Sequence, residues 1–354
     1  MISGKQWIDI VSESEDKKKI AIYCMNGIGN FIMWSPFIRA ARNFYDAEIH
    51  IITCLEDGWR FDAAFDICRR SPLIDKIIRL DQEEFYPEEY HKIFWSHHNE
   101  HTEFSRELLA KIRTKSNFVE LKNKLVEISR YSWPSLKIHE VEYYMTALYD
   151  QGYKGSIPYL HCPRTKKGKL KTKGFRVTLC NGAFTGNPLW LKKLWPVENW
   201  IKLTRLLKNY LGAEIALVGG DNLKEYHDEI PSDQDFTGKL SITETAQVLY
   251  ESELFITTDT GPMHIGASQG KPMIALFGST HLTKNKPWVQ NQKKCRVVQH
   301  RELDCVPCQD TPQMHKCEDY QCMKSITPAE VMHEVRGMVK DGFIRLRPMH
   351  SSVC

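Results

Sequence analysis

The sequence predicts an α/β protein made of two units, each built on a parallel sheet. Short β-rich runs alternate with helical periodicities along most of the 354 residues. The alternation breaks once, in a Pro-, Gly- and Lys-rich stretch at 158–174. A chain of this length is enough for two hydrophobic cores. The expected boundaries are 1–165 for the first unit, 166–335 for the second and 336–354 for a basic, lightly apolar tail.

The first unit opens with a predicted strand at Lys19–Met25, followed by an amphipathic helix at Phe31–Phe44. Strands are expected at Ala47–Thr53, Ile74–Leu80 and His91–Ser96, with a helix at Arg60–Cys68 after the first of them. Three helical patterns follow, at Glu103–Arg113, Asn117–Ser129 and Ile138–Tyr149. The second unit starts with a strand at Phe175–Cys180 and a loop over 181–188. A helix at Val197–Tyr210 shows an apolar face of Trp200, Leu203, Leu206 and Leu207. Strand Glu214–Val218 ends in Gly219-Gly220, and Ser241-Ile242-Thr243-Glu244 is a capping box opening a helix that runs to about Glu251.

The densest stretch is TTDTGPMHIGASQGKPMIALFGST, residues 257–280. It reads as strand Leu254–Thr258, turn Asp259-Thr260-Gly261, a helix from Pro262 through Met263–Gln269, a stop at Gly270 and a buried strand at Met273–Phe277. The helix N-terminus presents unpaired backbone donors and the positive end of a dipole, a ready phosphate site. Thr260 adds a hydroxyl and His264 a ring donor on the same side. The plainer alternative is an ordinary βαβ turn whose Asp259 caps the helix.

Composition excludes more than it selects. A hydrophobic share of 42% with 26% charged residues is that of a soluble globular protein. No apolar run reaches the ~18 residues needed to span a bilayer. The start, MISGKQWIDIVSESEDKKK, lacks the apolar centre of a signal peptide, so a cytoplasmic location is the expectation. A net charge of +4 with no aromatic-basic motif argues against nucleic acid as a partner. The basic run of Arg164, Lys166, Lys167, Lys169, Lys171 and Lys173 reads as a solvated approach to the second unit. Peripheral contact with anionic lipid at the inner membrane is the alternative.

Eleven cysteines are many for a reducing compartment. Cys24, Cys54 and Cys180 fall in predicted strands, where a thiol acts as a small hydrophobe. Cys305, Cys308, Cys317 and Cys322 are separated by gaps of two, eight and four residues. Four thiols can make a tetrahedral zinc site, but this spacing is not that of a zinc ribbon. Reduced cysteines in a tight loop are the first reading, with zinc or a disulfide as minority readings, and no metal in the working site.

The run D-T-G-x-x-H, small residues, G-x-P, an apolar strand and F-G resembles the signature of glycosyltransferase family 9, the heptosyltransferases of lipopolysaccharide synthesis. Lys193-Leu194-Trp195-Pro196 with Trp200 resembles that family's K-x-W-P element. Asn26-Gly27-Ile28-Gly29-Asn30, then Ser35-Pro36 and Arg39, resembles its N-terminal G-x-G-D loop. The Cys305–Cys322 segment with Ile326-Thr327-Pro328 is similar to the tail of the heptosyltransferase II branch. The resemblance runs from about residue 18 to about 335.

The resemblance implies the GT-B architecture, two Rossmann-like domains with parallel sheets facing a central cleft. Acceptor binds the N-terminal domain and nucleotide-sugar the C-terminal one. It implies inverting, metal-independent transfer of a heptose or related sugar from a nucleotide diphosphate sugar, ADP-linked by implication, to a lipopolysaccharide-type or other glycan acceptor. No cofactor is then required. Donor contacts are expected from Asp259, Thr260, Gly261, Met263, His264 and Lys193, with Lys193 as a point charge on the leaving diphosphate. Lys192 is its neighbour and rival for that register. Glu225 is the candidate for the ribose hydroxyls, with Asp221 in competition.

One position departs from the pattern. The residue after the second glycine of the first loop is Asp in the family and is taken as the general base; here it is Asn30. An amide orients a hydroxyl but does not usefully accept its proton near neutral pH. With Gly27 and Gly29, Asn30 remains on the expected acceptor side. The loop after the fourth predicted strand, with His97, His98, Glu100 and His101, offers candidate substitute bases, the plainer reading being a polar loop. Two rival readings stay open: a catalytically silent nucleotide-sugar-binding protein, favoured by Asn30, and a redox or zinc module on the cysteine cluster.

Overall fold

A computed structural model describes residues 17–23, 27–53, 65–80, 82–95, 103–121, 138–170, 174–183, 188–309 and 311–345. The first unit contains strands β1 (Lys18–Tyr23), β2 (Ala47–Thr53), β3 (Lys76–Arg79), β4 (Lys92–Trp95) and β5 (Phe118–Glu120). They form one parallel sheet in the order β3-β2-β1-β4-β5. Helices α1 (Ile28–Tyr45), α2 (Glu103–Ile112) and α3 (Glu140–Tyr149) accompany it. Strand β5 corrects the helix expected at 117–129. Phe118, Val119 and Glu120 pair with Ile93, Phe94 and Trp95, so tertiary pairing overrides a helix-like pattern. Residues 122–137 lie outside the described residues.

Helix α1 carries Pro36 in its interior. Proline has no N–H for the carbonyl four residues back, here that of Ile32. The Ser35 hydroxyl donates to that carbonyl at 2.6 Å and accepts the His161 N–H at 2.7 Å. Trp34 then stacks on Tyr144 of α3 with ring centroids 4.3 Å apart. This aromatic contact fixes the separation of α1 and α3, the two helices that deliver Asn30 and Glu140 to the cleft.

The second unit holds six parallel strands in the order β11-β10-β9-β6-β7-β8. They are β6 (Phe175–Cys180), β7 (Ala213–Leu217), β8 (Gln234–Asp235), β9 (Leu254–Thr258), β10 (Met273–Leu276) and β11 (Cys295–Val298). The accompanying helices are α4 (Pro188–Leu191), α5 (Val197–Leu211), α6 (Lys224–His227), α7 (Ile242–Glu251), α8 (Gly261–Gln269), α9 (Leu282–Asn285), α10 (Pro312–Lys316), α11 (Gln321–Lys324) and α12 (Pro328–Lys340). Both halves of the capping box at α7 form between Ser241 and Glu244. Gly212 and Gly270 end α5 and α8 with φ of 58° and 68°, a region glycine enters without penalty. Helix α12 continues past 335, and Met338 and Ile344 are buried in the second unit's core, so the first part of the expected tail belongs to that core.

Strand order reverses between β1 and β4 in one sheet and between β6 and β9 in the other. Open parallel sheets bind ligands off the carboxyl ends of strands at such switch points. The chain leaves β1 toward Gly27–Asn30, β6 toward Asn181–Ala183 and β9 toward Asp259–Gly261. All three stretches therefore converge on one cleft.

The two units share a hydrophobic cluster that includes Trp34 and Tyr144 from the first and Met263 and Phe277 from the second. Polar ties cross between them as well. Asp66 accepts the Thr243 N–H and hydroxyl, each at 2.9 Å, at the start of α7. His139 donates from Nε2 to the Lys286 carbonyl at 2.7 Å, while its Nδ1 accepts the Val141 N–H at 3.1 Å. One ring donor and one ring acceptor are what a neutral imidazole has. Burial first, against weaker opposing contacts, lowers the His139 pKa to about 4. His161 and His264 are likewise lowered to about 4, with burial the largest cause.

These histidines set an acid sensitivity. Above the unfolded pKa of ~6.5 they are neutral folded or unfolded and cost nothing. Between that value and about 4 the unfolded chain binds protons that the folded chain refuses, so stability falls with pH there. Each contributes a slope of up to ~1.4 kcal/mol per pH unit. Asp66 and Asp75 have lowered pKa values, so their losses come at more acid pH. The melting temperature is expected to drop steadily from pH 7 to pH 5. A flat profile over that range in calorimetry would contradict the neutral, buried assignment.

The basic run is docked. Lys169 Nζ donates to Glu244 at 2.5 Å, its N–H goes to Glu251, and the Arg164 guanidinium lies 3.7 Å over the Tyr250 ring. Lys166 and Lys167 are exposed, and Lys171 and Lys173 lie outside the described residues. Among the described residues no helix is long and apolar enough to cross a membrane.

Candidate active site

A cavity of about 570 Å³ opens between the carboxyl ends of the two sheets. Its first-unit wall is Gly27, Ile28, Gly29, Asn30 and Met33 with Glu140. Its second-unit wall carries Lys193, Asp259, Thr260, Gly261 and His264, with Lys284 and Asn285. One end is apolar, at Leu223, Leu240 and Ile242 beside Gly219 and Gly220. This size and lining suit a nucleotide-sized ligand.

Lys193 donates to Asp259 Oδ2 at 2.6 Å, and the Thr280 hydroxyl donates to the same oxygen at 2.5 Å. Asp259 is buried; burial pushes its pKa up, and Lys193 and Thr280 outweigh that, leaving it lowered. Asp259 was expected to cap the following helix. The cap is instead Thr260, with no side-chain cap bond, and Asp259 turns to the lysine. Lys192 turns away from the cleft. It donates to the Met314 carbonyl at 2.9 Å and to that of Cys317, so it serves the cysteine loop while Lys193 faces the cleft. The Lys193 ammonium also lies 4.8 Å over the Trp190 ring. Trp195 is held by reciprocal bonds with Asn181, at 2.9 and 3.0 Å, which fixes the K-x-W-P element to the end of β6.

At the start of α8, Pro262 has no N–H and the Met263 N–H goes to the Thr260 carbonyl at 3.0 Å. The Met263 side chain is fully buried and is not among the residues lining the cavity. The Thr260 hydroxyl and His264 Nδ1 are buried with no hydrogen-bond partner, and both residues line the cavity. Unpartnered polar atoms at a helix N-terminus can donate to an anion. Burial, the largest cause, lowers the His264 pKa to about 4, so its ring is neutral near pH 7.

The two walls touch at the glycines. A Cβ on Gly29 would sit 2.8 Å from His264 Cδ2, a ring only 3% exposed. Alanine there gains up to ~1 kcal/mol of helix propensity but overpacks by about 1–3 kcal/mol. Gly29→Ala is expected to lose stability in urea denaturation and weaken ligand binding at the His264 wall. An unchanged midpoint with unchanged binding would show that the close approach is not required.

Glu225 is exposed and is not among the residues lining the cavity; Asn222 lines that end instead. Asp221 is exposed and pairs with Lys224. His97, His98, Glu100 and His101 lie outside the described residues. Cys305, Cys308, Cys317 and Cys322 do come together, as free thiols around a separate cavity of about 30 Å³. Burial raises the Cys308 thiol to about 11 and the Cys322 thiol to about 12. Among the described residues no group of three or more His, Cys, Asp or Glu is arranged to hold a metal.

The residue that sequence reasoning missed is Glu140. It is 1% exposed and lines the cleft. Asn30 Nδ2 donates to its Oε1 at 2.7 Å, Tyr144 donates its hydroxyl to the same oxygen, and Asn285 Nδ2 donates to Oε2 at 3.0 Å. The readable signal was its place four residues before Tyr144, on the apolar side of α3.

Two parallel α/β sheets around a shared cleft define a GT-B-type protein. The crystal structure of the E. coli ADP-heptose lipopolysaccharide heptosyltransferase II superimposes with a TM-score of 0.67 at 16% identity, covering 92% of this chain and 99% of that one. A glycosyltransferase family 9 protein from Veillonella parvula gives 0.68 at 17% identity, covering 92% and 98%. The model of glycosyltransferase family 9 (heptosyltransferase) matches residues 169–317. Among curated proteins, lipooligosaccharide heptosyltransferase 2 of Campylobacter jejuni is 32% identical over 113 residues, 31% of this chain and 33% of the relative. Lipopolysaccharide heptosyltransferase 2 of Salmonella typhimurium is 22% identical over 234 residues, 60% of this chain and 64% of the relative. The matched segments thus span between a third and two thirds of these relatives.

Proposed function

We infer that this protein is a glycosyltransferase moving a heptose or related sugar from a nucleotide diphosphate sugar to a glycan acceptor of the lipopolysaccharide-core type. The observation that carries this reading is the Lys193–Asp259 pair beside the unpartnered Thr260 and His264 groups, within a cleft large enough for the donor. The apolar end at Leu223, Leu240 and Ile242 takes the base, and the diphosphate lies against Lys193 and the start of α8. An ammonium has three donors, and Asp259 occupies one, which leaves Lys193 able to face the leaving diphosphate. With that charge in place the transfer runs without a metal ion. The acceptor enters from the Asn30 side, opposite the donor phosphates, which makes the transfer inverting. The names of the curated relatives favour a heptose, and that of the E. coli structural neighbour an ADP-linked one.

Calorimetric titration with ADP, GDP, UDP and CDP, with and without a chelator, tests the donor half. Saturable binding of one nucleotide in preference, unaffected by chelator, is the expected result. Binding of none of the four would remove the reading. The silent-binder alternative shares that outcome and separates from the transferase only in turnover.

A further inference from the structure

We propose that Glu140 is the general base of this cleft and that Asn30 is its positioning amide. The proposal rests on the transferase reading above and names the group that reading lacks. The N-terminal loop offers an amide where a carboxylate was expected, and a carboxylate stands one hydrogen bond away, 2.7 Å from Asn30 Nδ2. It belongs to the same wall of the same cavity. It arrives from another element, α3, which α1 meets through the Trp34–Tyr144 stack.

The three groups that hold Glu140 are all neutral donors: two side-chain amides and a phenol. They fix the direction of the carboxylate through hydrogen bonds to both of its oxygens. Four lone-pair sites on the two oxygens against three donors leave room for an acceptor hydroxyl. The pairing also accounts for the amide at position 30. Asn30 donates to a carboxylate; an aspartate there would face Glu140 charge to charge, or the two would share a proton. Asn30 and Glu140 thus form one device, with the carboxylate moved from the first turn of α1 to the first turn of α3.

The step balances without a co-reactant. The acceptor oxygen attacks the anomeric carbon as its proton passes to Glu140. The bond from that carbon to the diphosphate oxygen breaks, and its electron pair leaves on the diphosphate toward Lys193. The protonated Glu140 then returns its proton to water.

A structural role for Glu140 is the competing account, since Oε2 also ties the first unit to Asn285 of the second. A carboxylate–amide exchange separates the two. Glu140→Gln keeps shape and is expected to lower kcat by about 10²–10⁴-fold with donor affinity little changed. The double variant Asn30→Asp/Glu140→Gln puts the carboxylate at position 30 of α1 with the amide as its donor. It is expected to recover at least about tenfold over Glu140→Gln alone, because a base has been restored. Glu140→Gln within about threefold of wild-type turnover overturns the proposal. So does a double variant that binds donor yet is no faster than Glu140→Gln, which would assign Glu140 to holding the units together. A wild-type protein that binds donor but releases no nucleotide with any acceptor overturns the transferase reading itself, and this assignment with it.

Discussion

Asp259→Asn is expected to destabilise the protein by about 3–5 kcal/mol, the cost of leaving a buried charge without its partner. Lys193 and Asp259 have side chains only 14% and 6% exposed, and their contact is 2.6 Å. Removing the carboxylate charge strands the ammonium in the cleft. Replacing both groups relieves the problem. Lys193→Met/Asp259→Asn should therefore be more stable than the sum of the single losses predicts, by at least about 1 kcal/mol. Urea denaturation of the four proteins measures this coupling. Additive losses would mean that the two residues do not act as a pair, and that the turn after β9 is held by Thr280 alone.

The second large effect concerns rate. Lys193→Met is expected to lower kcat by about 10²–10³-fold, the usual loss when one donor facing a developing charge is removed. Lys193→Arg should restore little. A planar fork does not reproduce a compact point charge held by Asp259 and bordered by Trp190. Steady-state kinetics with varied donor separates the terms. A fall in kcat with KM nearly constant marks stabilisation of the departing diphosphate. A rise in KM alone would reduce Lys193 to a ground-state phosphate contact.

The alternation of strands and helices was legible because each β-strand is short, β-branched and bounded by turn residues. Ala47–Thr53, Phe175–Cys180 and Leu254–Thr258 appear with the expected bounds. The segment around Phe118 misled because strand or helix was decided there by an edge position beside β4, a tertiary fact. The second-unit wall of the cleft was legible because Asp259, Thr260, Gly261 and His264 are close in sequence and one turn of helix brings them together. Lys193 joined them through a local element, the Trp195 anchor. The Glu140 wall of the cleft was not legible for the opposite reason. Glu140 is 110 positions from Asn30 and opens a helix, where an acidic residue ordinarily complements the dipole and needs no other explanation. Asn285 is further still, in the other unit. Only the crossing of α1, α3 and α9 at one point gives these residues a common purpose.

The most direct test of the central claim is nucleotide diphosphate release from ADP-, GDP-, UDP- and CDP-sugars, with and without a lipopolysaccharide core extract. The account predicts release from one donor, dependent on acceptor and undiminished by chelator. Tight binding of a donor with no release against any acceptor would contradict it and make the cleft a nucleotide-sugar binding site without turnover.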